Sequence, residues 1–272
     1  MHTSSHLRRT YGRNVFGVFS RCYGQENAEP RRSGRLCAVT SPRTAVVLLA
    51  AGSGTRVGAA TNKVLLPLAG RPVLQWSLRT IAALPYVERL VVVHRAEDRD
   101  AVAQVVLAEL DEGREATLVD GGATRHDSEW RGLRALQGVI ESGGVDVVAI
   151  HDAARPLADA ALFDRTVETA HASGAGIPVR NQAALLGRDS GGRVPGLVTV
   201  QTPQAFRAAP LLDAYRRAES DGFTGTDTAA CVARYTDVRI RAVDGPATNL
   251  KITFAEDVAL VERLVLRHPI SG

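Results

Sequence analysis

At 272 residues and 45% hydrophobic content, the chain is long enough to bury a full core, and no apolar run approaches the length of a membrane span. Its formal charge of +4 comes from the first 43 residues, which hold eight arginines against Glu26 and Glu29, while the remainder carries 25 basic and 27 acidic side chains. The body is therefore slightly acidic and gives no footing for a nucleic-acid partner.

The three cysteines, Cys22, Cys37 and Cys231, form neither a CxxC pair nor a metal-ligand spacing. Free thiols in a reducing, cytoplasmic setting are the default reading. Met1 to Arg43 lacks a hydrophobic period and the apolar stretch of a signal peptide. It reads as a disordered extension; its Arg- and Ser-rich, acid-poor composition leaves plastid-type targeting as the alternative. Residues 44–272 read as one body, with no internal repeat and no linker that would divide it.

In chain order, Ala45 to Ala50 (AVVLLA) is a short apolar run ending in glycines, suited to a buried parallel strand. Helical spacing follows over Pro72 to Leu84, then a second strand at Leu90 to His94 and an amphipathic helix from Asp98 to Leu110. Ala116 to Val119 predicts a third strand, Arg125 to Ile140 a helix, and Val145 to His151 a fourth strand ending at Asp152. Ala158 to Ser173 reads as a helix and Gly176 to Val179 as a strand. The pattern breaks over residues 180–201, which are polar and glycine-rich and read as a projecting hairpin arm or a mobile loop. Helices return at Pro210 to Glu219 and Thr226 to Tyr235. A strand over Arg239 to Val243 and a last helix over Ala255 to Arg267 complete the body.

Strands alternating with helices imply right-handed crossovers and a mostly parallel sheet covered on both faces. Ligands bind such sheets at the carboxyl ends of the strands. The informative residues follow strand ends here: a glycine loop after the first strand, Gly121 and Gly122 after the third, Asp152 after the fourth.

Lysine is nearly absent. Of 33 basic side chains only Lys63 and Lys251 are not arginine. A compact ammonium on a flexible stem follows a shifting phosphate charge better than a planar guanidinium. Lys63 closes the segment LLAAGSGTRVGAATNK, in which small residues at Ala50, Ala51, Gly52 and Gly54 let backbone N–H groups approach phosphates, with Arg56 and Lys63 supplying charge. The glycine spacing fits neither a Walker A loop nor a dinucleotide fingerprint. Lys251 lies in ATNLKIT. The two lysines suggest two ends of one phosphate-handling site, or two leftover surface residues.

The glycine loop resembles that of nucleotidyltransferases that couple a nucleoside triphosphate to a phosphorylated sugar or alditol. GGATRHDS (121–128), HDAARP (151–156), QTPQAF (201–206), TGTDTAA (224–230) and NLKIT (249–253) follow in one order. Together they resemble the IspD family, the 2-C-methyl-D-erythritol 4-phosphate cytidylyltransferases of the non-mevalonate isoprenoid pathway, from about Ala45 to Leu266. The resemblance implies a three-layer, Rossmann-like α/β nucleotidyltransferase (GT-A-like) fold with a projecting β-arm. It implies transfer of a cytidylyl group from CTP to an alditol phosphate.

By that resemblance Arg56, Lys63 and Lys251 are catalytic. Ala50, Ala51, Gly52, Gly54, Gly122, Ser128 and Asp152 hold the nucleotide, and Asp152 carries Mg2+. Thr202, Thr226, Asp227 and Lys251 meet the acceptor, and the arm completes a homodimer. Plainer alternatives stand beside several of these: Asp152 as a helix N-cap, Asp127 and Ser128 as first-turn helix residues, Arg125 as a salt-bridge partner, Thr226 and Asp227 as a cap. His151 reads as a structural hydrogen-bonding residue.

Three positions depart from the family pattern. Asn62 stands where proline usually precedes the catalytic lysine, Asn181-Gln182-Ala183 replaces the usual opening of the arm, and Val194 replaces an arginine that meets the acceptor phosphate. Ribitol 5-phosphate is therefore an alternative acceptor, and a non-catalytic CTP-binding paralogue is an alternative from another class.

Overall fold

The computed structural model describes residues 41–52, 62–111, 113–181 and 198–267. The central strand β1, Thr44–Leu49, is buried along almost its whole length. Its side chains alternate: Ala45 and Val47 join one core, Val46 and Leu48 the other. A strand covered on both faces needs an unbroken apolar run, which AVVLLA supplies.

A short hairpin of β2, Pro67–Leu68, and β3, Arg71–Pro72, leads into helix α1, Val73–Ala82. Strand β4, Val87–His94, helix α2, Arg99–Glu109, and strand β5, Ala116–Asp120, follow. Next come α3, Arg125–Glu141, β6, Val147–Asp152, α4, Ala160–Ser173, and β7, Gly174–Asn181. The chain continues with β8, Val198–Val200, β9, Gln204–Arg207, α5, Ala208–Ser220, and α6, Thr228–Tyr235. Strand β10, Arg239–Asp244, and helix α7, Ala255–Arg267, end the described chain.

The main sheet runs β10-β7-β9-β6-β1-β4-β5, with β8 also paired to β7. β1 is parallel to β4 and β6, β4 to β5, and β7 to β10. Helices α1, α2 and α4 cover one face, and α3 and α5 the other, giving three layers. A smaller cluster of Leu68, Val73, Ile252, Val261 and Val265 anchors α7 on the β2-β3 hairpin.

The helices and strands expected from periodicity are present with ends shifted by a few residues. β9 was not legible. It runs antiparallel between β6 and β7, pairing Val147 with Arg207 and Ala175 with Phe206. Four residues that follow a proline carry too little alternation to read as a strand. β8 pairs antiparallel with Val179 to Asn181. Asn181 therefore pairs with Val198; residues 182–197, the body of the expected arm, lie outside the described residues. So do the first 40 residues. No described helix is long and apolar enough to cross a membrane.

Candidate active site

The carboxyl ends of β1, β4, β5 and β6 open into a cavity of about 570 Å³. Its first wall is the loop after β1. Ala51 and Gly52 line the cavity, and the Lys63 stem passes over Gly52. Gly54 and Arg56, both expected here, lie outside the described residues. Ala50, expected at the nucleotide, lies at the buried root of this loop. Its N–H donates to the Val93 carbonyl at 2.7 Å, its carbonyl accepts from Asn62 at 2.8 Å, and it is fully buried. Its backbone joins the loop to the sheet beside Ala51 and Gly52.

Asn62 explains how the family's proline can be replaced. Its Nδ2 donates to the Ala50 carbonyl and to Asp98 Oδ2, each at 2.8 Å, and its Oδ1 accepts from the Val64 N–H at 3.3 Å. One buried amide therefore ties the end of β1 to the single 3-10 turn Lys63–Leu65. That turn places Lys63 in the cavity wall at 8% exposure.

The second wall is GGATRHDS. Thr124 caps α3: its hydroxyl accepts from the Asp127 N–H while the Asp127 carboxylate accepts from the Thr124 N–H, both at 3.0 Å. Asp127 is thus a capping residue. Ser128 Oγ accepts from the Gly122 N–H at 3.1 Å and donates to the Thr124 carbonyl at 3.0 Å. Ser128 thereby shapes the glycine turn, and it also lines the cavity with one acceptor position of its hydroxyl still open. The turn demands glycine. A Cβ on Gly121 would come within 2.5 Å of the Ala51 Cβ, and one on Gly122 would collide with Asp127.

The floor is charged. Asp152 ends β6 with its side chain 10% exposed, Oδ1 at 3.2 Å from Arg125 Nη2 and Oδ2 at 2.6 Å from Lys251 Nζ. Burial alone would raise its pKa. The adjacent Arg125 and Lys251 outweigh that and hold it well below the usual carboxylate range. Arg125 and Lys251 are 126 positions apart in the chain and meet only through this carboxylate. Behind Lys251, Asn249 Nδ2 donates to the Thr202 carbonyl at 2.9 Å and to Gln201 Oε1 at 3.1 Å. The Ile252 N–H donates to the Ala154 carbonyl at 2.8 Å. The QTPQ and NLKIT segments are therefore zipped together, which sets the reach of Lys251.

The residues expected at the acceptor sit in different settings. Thr202 is buried beneath the floor. Its hydroxyl accepts from the Asp152 N–H at 3.0 Å and lies 3.1 Å from His151 Nδ1, so it supports Asp152 instead of facing the cavity. Asp227 caps α6 by accepting from the Ala230 N–H at 2.8 Å. Neither it nor the exposed Thr226 lines the cavity among the described residues. His151 is fully buried, and burial lowers its pKa to about 4, leaving it neutral near pH 7.

Among the described residues, four cations, Lys63, Arg95, Arg125 and Lys251, line the cavity with one carboxylate, Asp152. The excess positive charge suits a polyphosphate. The donor set also fits magnesium of a particular kind. Among the described residues no group of three or more acidic, His or Cys side chains could hold a metal alone. Mg2+ keeps waters and binds through one or two carboxylates plus substrate phosphates, so Asp152 fits a cation that arrives with its nucleotide.

Arg95 and Glu129 were missed by sequence reasoning. Arg95 directly follows β4 and carried the same signal as Asp152, a charged residue at a carboxyl strand end. Glu129, buried inside α3, carried none.

The description "2-C-methyl-D-erythritol 4-phosphate cytidylyltransferase" belongs to the family model that matches residues 44–267. A protein of that name from Cereibacter sphaeroides is 40% identical over 231 residues, 82% of this chain and 96% of the relative. One from Bacillus velezensis is 35% identical over 226 residues, covering 81% and 94%. The crystal structure of 4-diphosphocytidyl-2C-methyl-D-erythritol synthase from Anaerococcus prevotii superposes with a TM-score of 0.70 at 26% identity, covering 84% of this chain and 97% of that one. That of the cytidylyltransferase from Thermus thermophilus gives 0.62 at 31% identity, covering 81% and 98%. With the motifs, the sheet order and these matches in agreement, the chain belongs to the 2-C-methyl-D-erythritol 4-phosphate cytidylyltransferase family.

Proposed function

We propose that this protein transfers the cytidylyl group of CTP to 2-C-methyl-D-erythritol 4-phosphate. The phosphate oxygen of the acceptor attacks the α-phosphorus of CTP, the bond to the β-phosphate oxygen breaks, and pyrophosphate leaves. The observation that carries this reading is the Asp152 carboxylate clamped between Arg125 and Lys251 at the floor of a cationic cavity.

No protein nucleophile is needed. Catalysis rests on alignment and on stabilising charge at the transferring phosphoryl group. Lys63, together with Arg56 from the glycine loop, supports the triphosphate and the departing pyrophosphate. The backbone turns at Ala51–Gly52 and Gly121–Gly122 would offer the cytosine a tight platform that admits a pyrimidine and excludes a purine by size. Lys251 stands where the acceptor phosphate meets the α-phosphate. Asp152 would hold Mg2+, which neutralises phosphate oxygens when bound with CTP. Lys251 must then yield part of its hold on Asp152, which frees its ammonium for the incoming phosphate.

A homodimer completed by residues 180–201 follows from the same reading, as does a reducing, cytoplasmic setting. The departures at Asn181-Gln182-Ala183 and Val194 favour one second reading, ribitol 5-phosphate as acceptor. Pyrophosphate release with CTP and Mg2+ tests both. Release with methylerythritol 4-phosphate is the expected result. Turnover of ribitol 5-phosphate alone would move the acceptor, and CTP binding without release on either would make the chain a non-catalytic paralogue.

A further inference from the structure

Glu129 lies one turn into α3 with no exposed surface, behind the cavity wall. Its carboxylate takes three donors. Oε1 accepts from Thr228 Oγ1 at 2.7 Å and from Arg125 Nη1, and Oε2 accepts from the Tyr215 hydroxyl. Arg125 can only donate and the two hydroxyls can donate as well, an arrangement that accommodates an ionised carboxylate; burial raises its pKa and the charge of Arg125 opposes that rise. Arg125 spreads its other nitrogen, Nη2, onto Asp152 at 3.2 Å. One guanidinium therefore bridges a carboxylate buried in the protein and a carboxylate on the cavity floor.

We propose that Glu129 is a positioning residue that holds Arg125 at Asp152 and balances its charge, leaving Asp152 able to release a cationic partner when Mg2+ and CTP enter. The inference rests on the cytidylyltransferase reading above. Glu129 touches no reacting atom. Without its charge, Arg125 has one carboxylate in place of two and binds Asp152 more tightly, in competition with the metal. Thr228 and Tyr215 reach Glu129 from α6 and α5, so the same contact ties the TGTDTAA segment and α5 to the nucleotide side of the site.

The test is Glu129→Gln, which keeps the shape and removes the charge, read by calorimetric CTP binding across a Mg2+ series. The Mg2+ concentration giving half-maximal CTP affinity is expected to rise about tenfold, read below the melting temperature of the variant, which falls because one partner of a buried charge pair is lost. In an Arg125→Met background the same substitution is expected to change CTP binding by less than about twofold, because the pair acts as a unit. Normal Mg2+ dependence in a folded Glu129→Gln protein, or an undiminished effect without Arg125, would overturn the proposal. If Glu129→Gln does not fold, the near-isosteric Thr228→Val removes one donor while retaining the Glu129–Arg125 pair. Because the charge pair is kept, the Mg2+ midpoint should stay within about twofold of the wild type, and a tenfold shift in that folded variant would overturn the proposal by showing that the pair does not set it. Wild-type protein that binds no CTP would instead overturn the functional reading itself.

Discussion

The two sides of the cavity are built from different material. The nucleotide side is largely backbone: Ala51–Gly52 and Gly121–Gly122, brought together at a separation that a Cβ on Gly121 would violate, and locked from behind by Asn62 and Ser128. The floor and the side toward Lys251 are made of charged side chains drawn from distant segments and balanced against one another. A backbone wall is specific by shape and intolerant of added atoms. A side-chain floor is specific by charge and can change partners when a ligand arrives.

Substitutions can break or sharpen that contrast. The largest effect is expected from Lys63→Ala, which removes the charge over the backbone wall. kcat should fall about 10²- to 10³-fold, as for loss of a preorganised charge-stabilising contact. Pyrophosphate release at saturating CTP measures it, and a loss below tenfold would assign that charge elsewhere.

Gly122→Ala tests intolerance to shape. Overpacking against Asp127 should cost about 1–3 kcal/mol of stability and weaken CTP binding together; a stable variant with normal CTP affinity would show that the wall yields. Lys251→Ala tests the floor. Acceptor KM should rise about tenfold while CTP affinity stays within about threefold. Abolished CTP binding would merge the two halves into one.

Asn62→Ala should lower stability by about 1–2 kcal/mol, because it leaves Ala50, Val64 and Asp98 short of a partner in a buried place. Chemical denaturation reads that loss. Asn62→Pro, which restores the family's usual residue, should recover less stability than the wild type has, since Asp98 would still lack the amide.

The most gradual expected effect is a drift with pH. Burial holds His151 neutral down to about pH 4, whereas its ordinary pKa is 6.5. In that window the unfolded chain binds more protons, so stability falls as pH drops from 6.5 toward 4. His126 is shifted in the same direction, also by burial, and adds to the slope. Melting temperatures between those limits should decline by several degrees, and His151→Asn should flatten the curve; an equally steep curve in that variant would assign the protons elsewhere.

Legibility in the sequence follows the same division. The backbone wall was readable because close approach needs small residues at fixed spacing, and LLAAGSG and GGATRHDS display them. The roles assigned inside that wall were less so. Ala50 and Ser128 spend their polar groups holding the turns, which depends on Val93, Asn62 and Gly122 arriving from other elements. On the acceptor side, the Thr202 motif was legible but the direction of its hydroxyl was not, because that is settled by His151 and Asp152, about fifty residues earlier.

The sequence by itself determined the class of fold. A buried parallel strand must be apolar on both faces and a covering helix apolar on one, and these periods are local properties of the chain. It also determined that Lys63, Asp152 and Lys251 stand near strand ends or in ordered motifs. Only the tertiary structure decided that Asp152 is shared between Arg125 and Lys251, that Glu129 backs Arg125 from the core, and that the four residues of β9 enter the sheet antiparallel. Those outcomes depend on which distant groups exclude water from one another. Desolvation and charge pairing act through space, and a linear pattern does not record them.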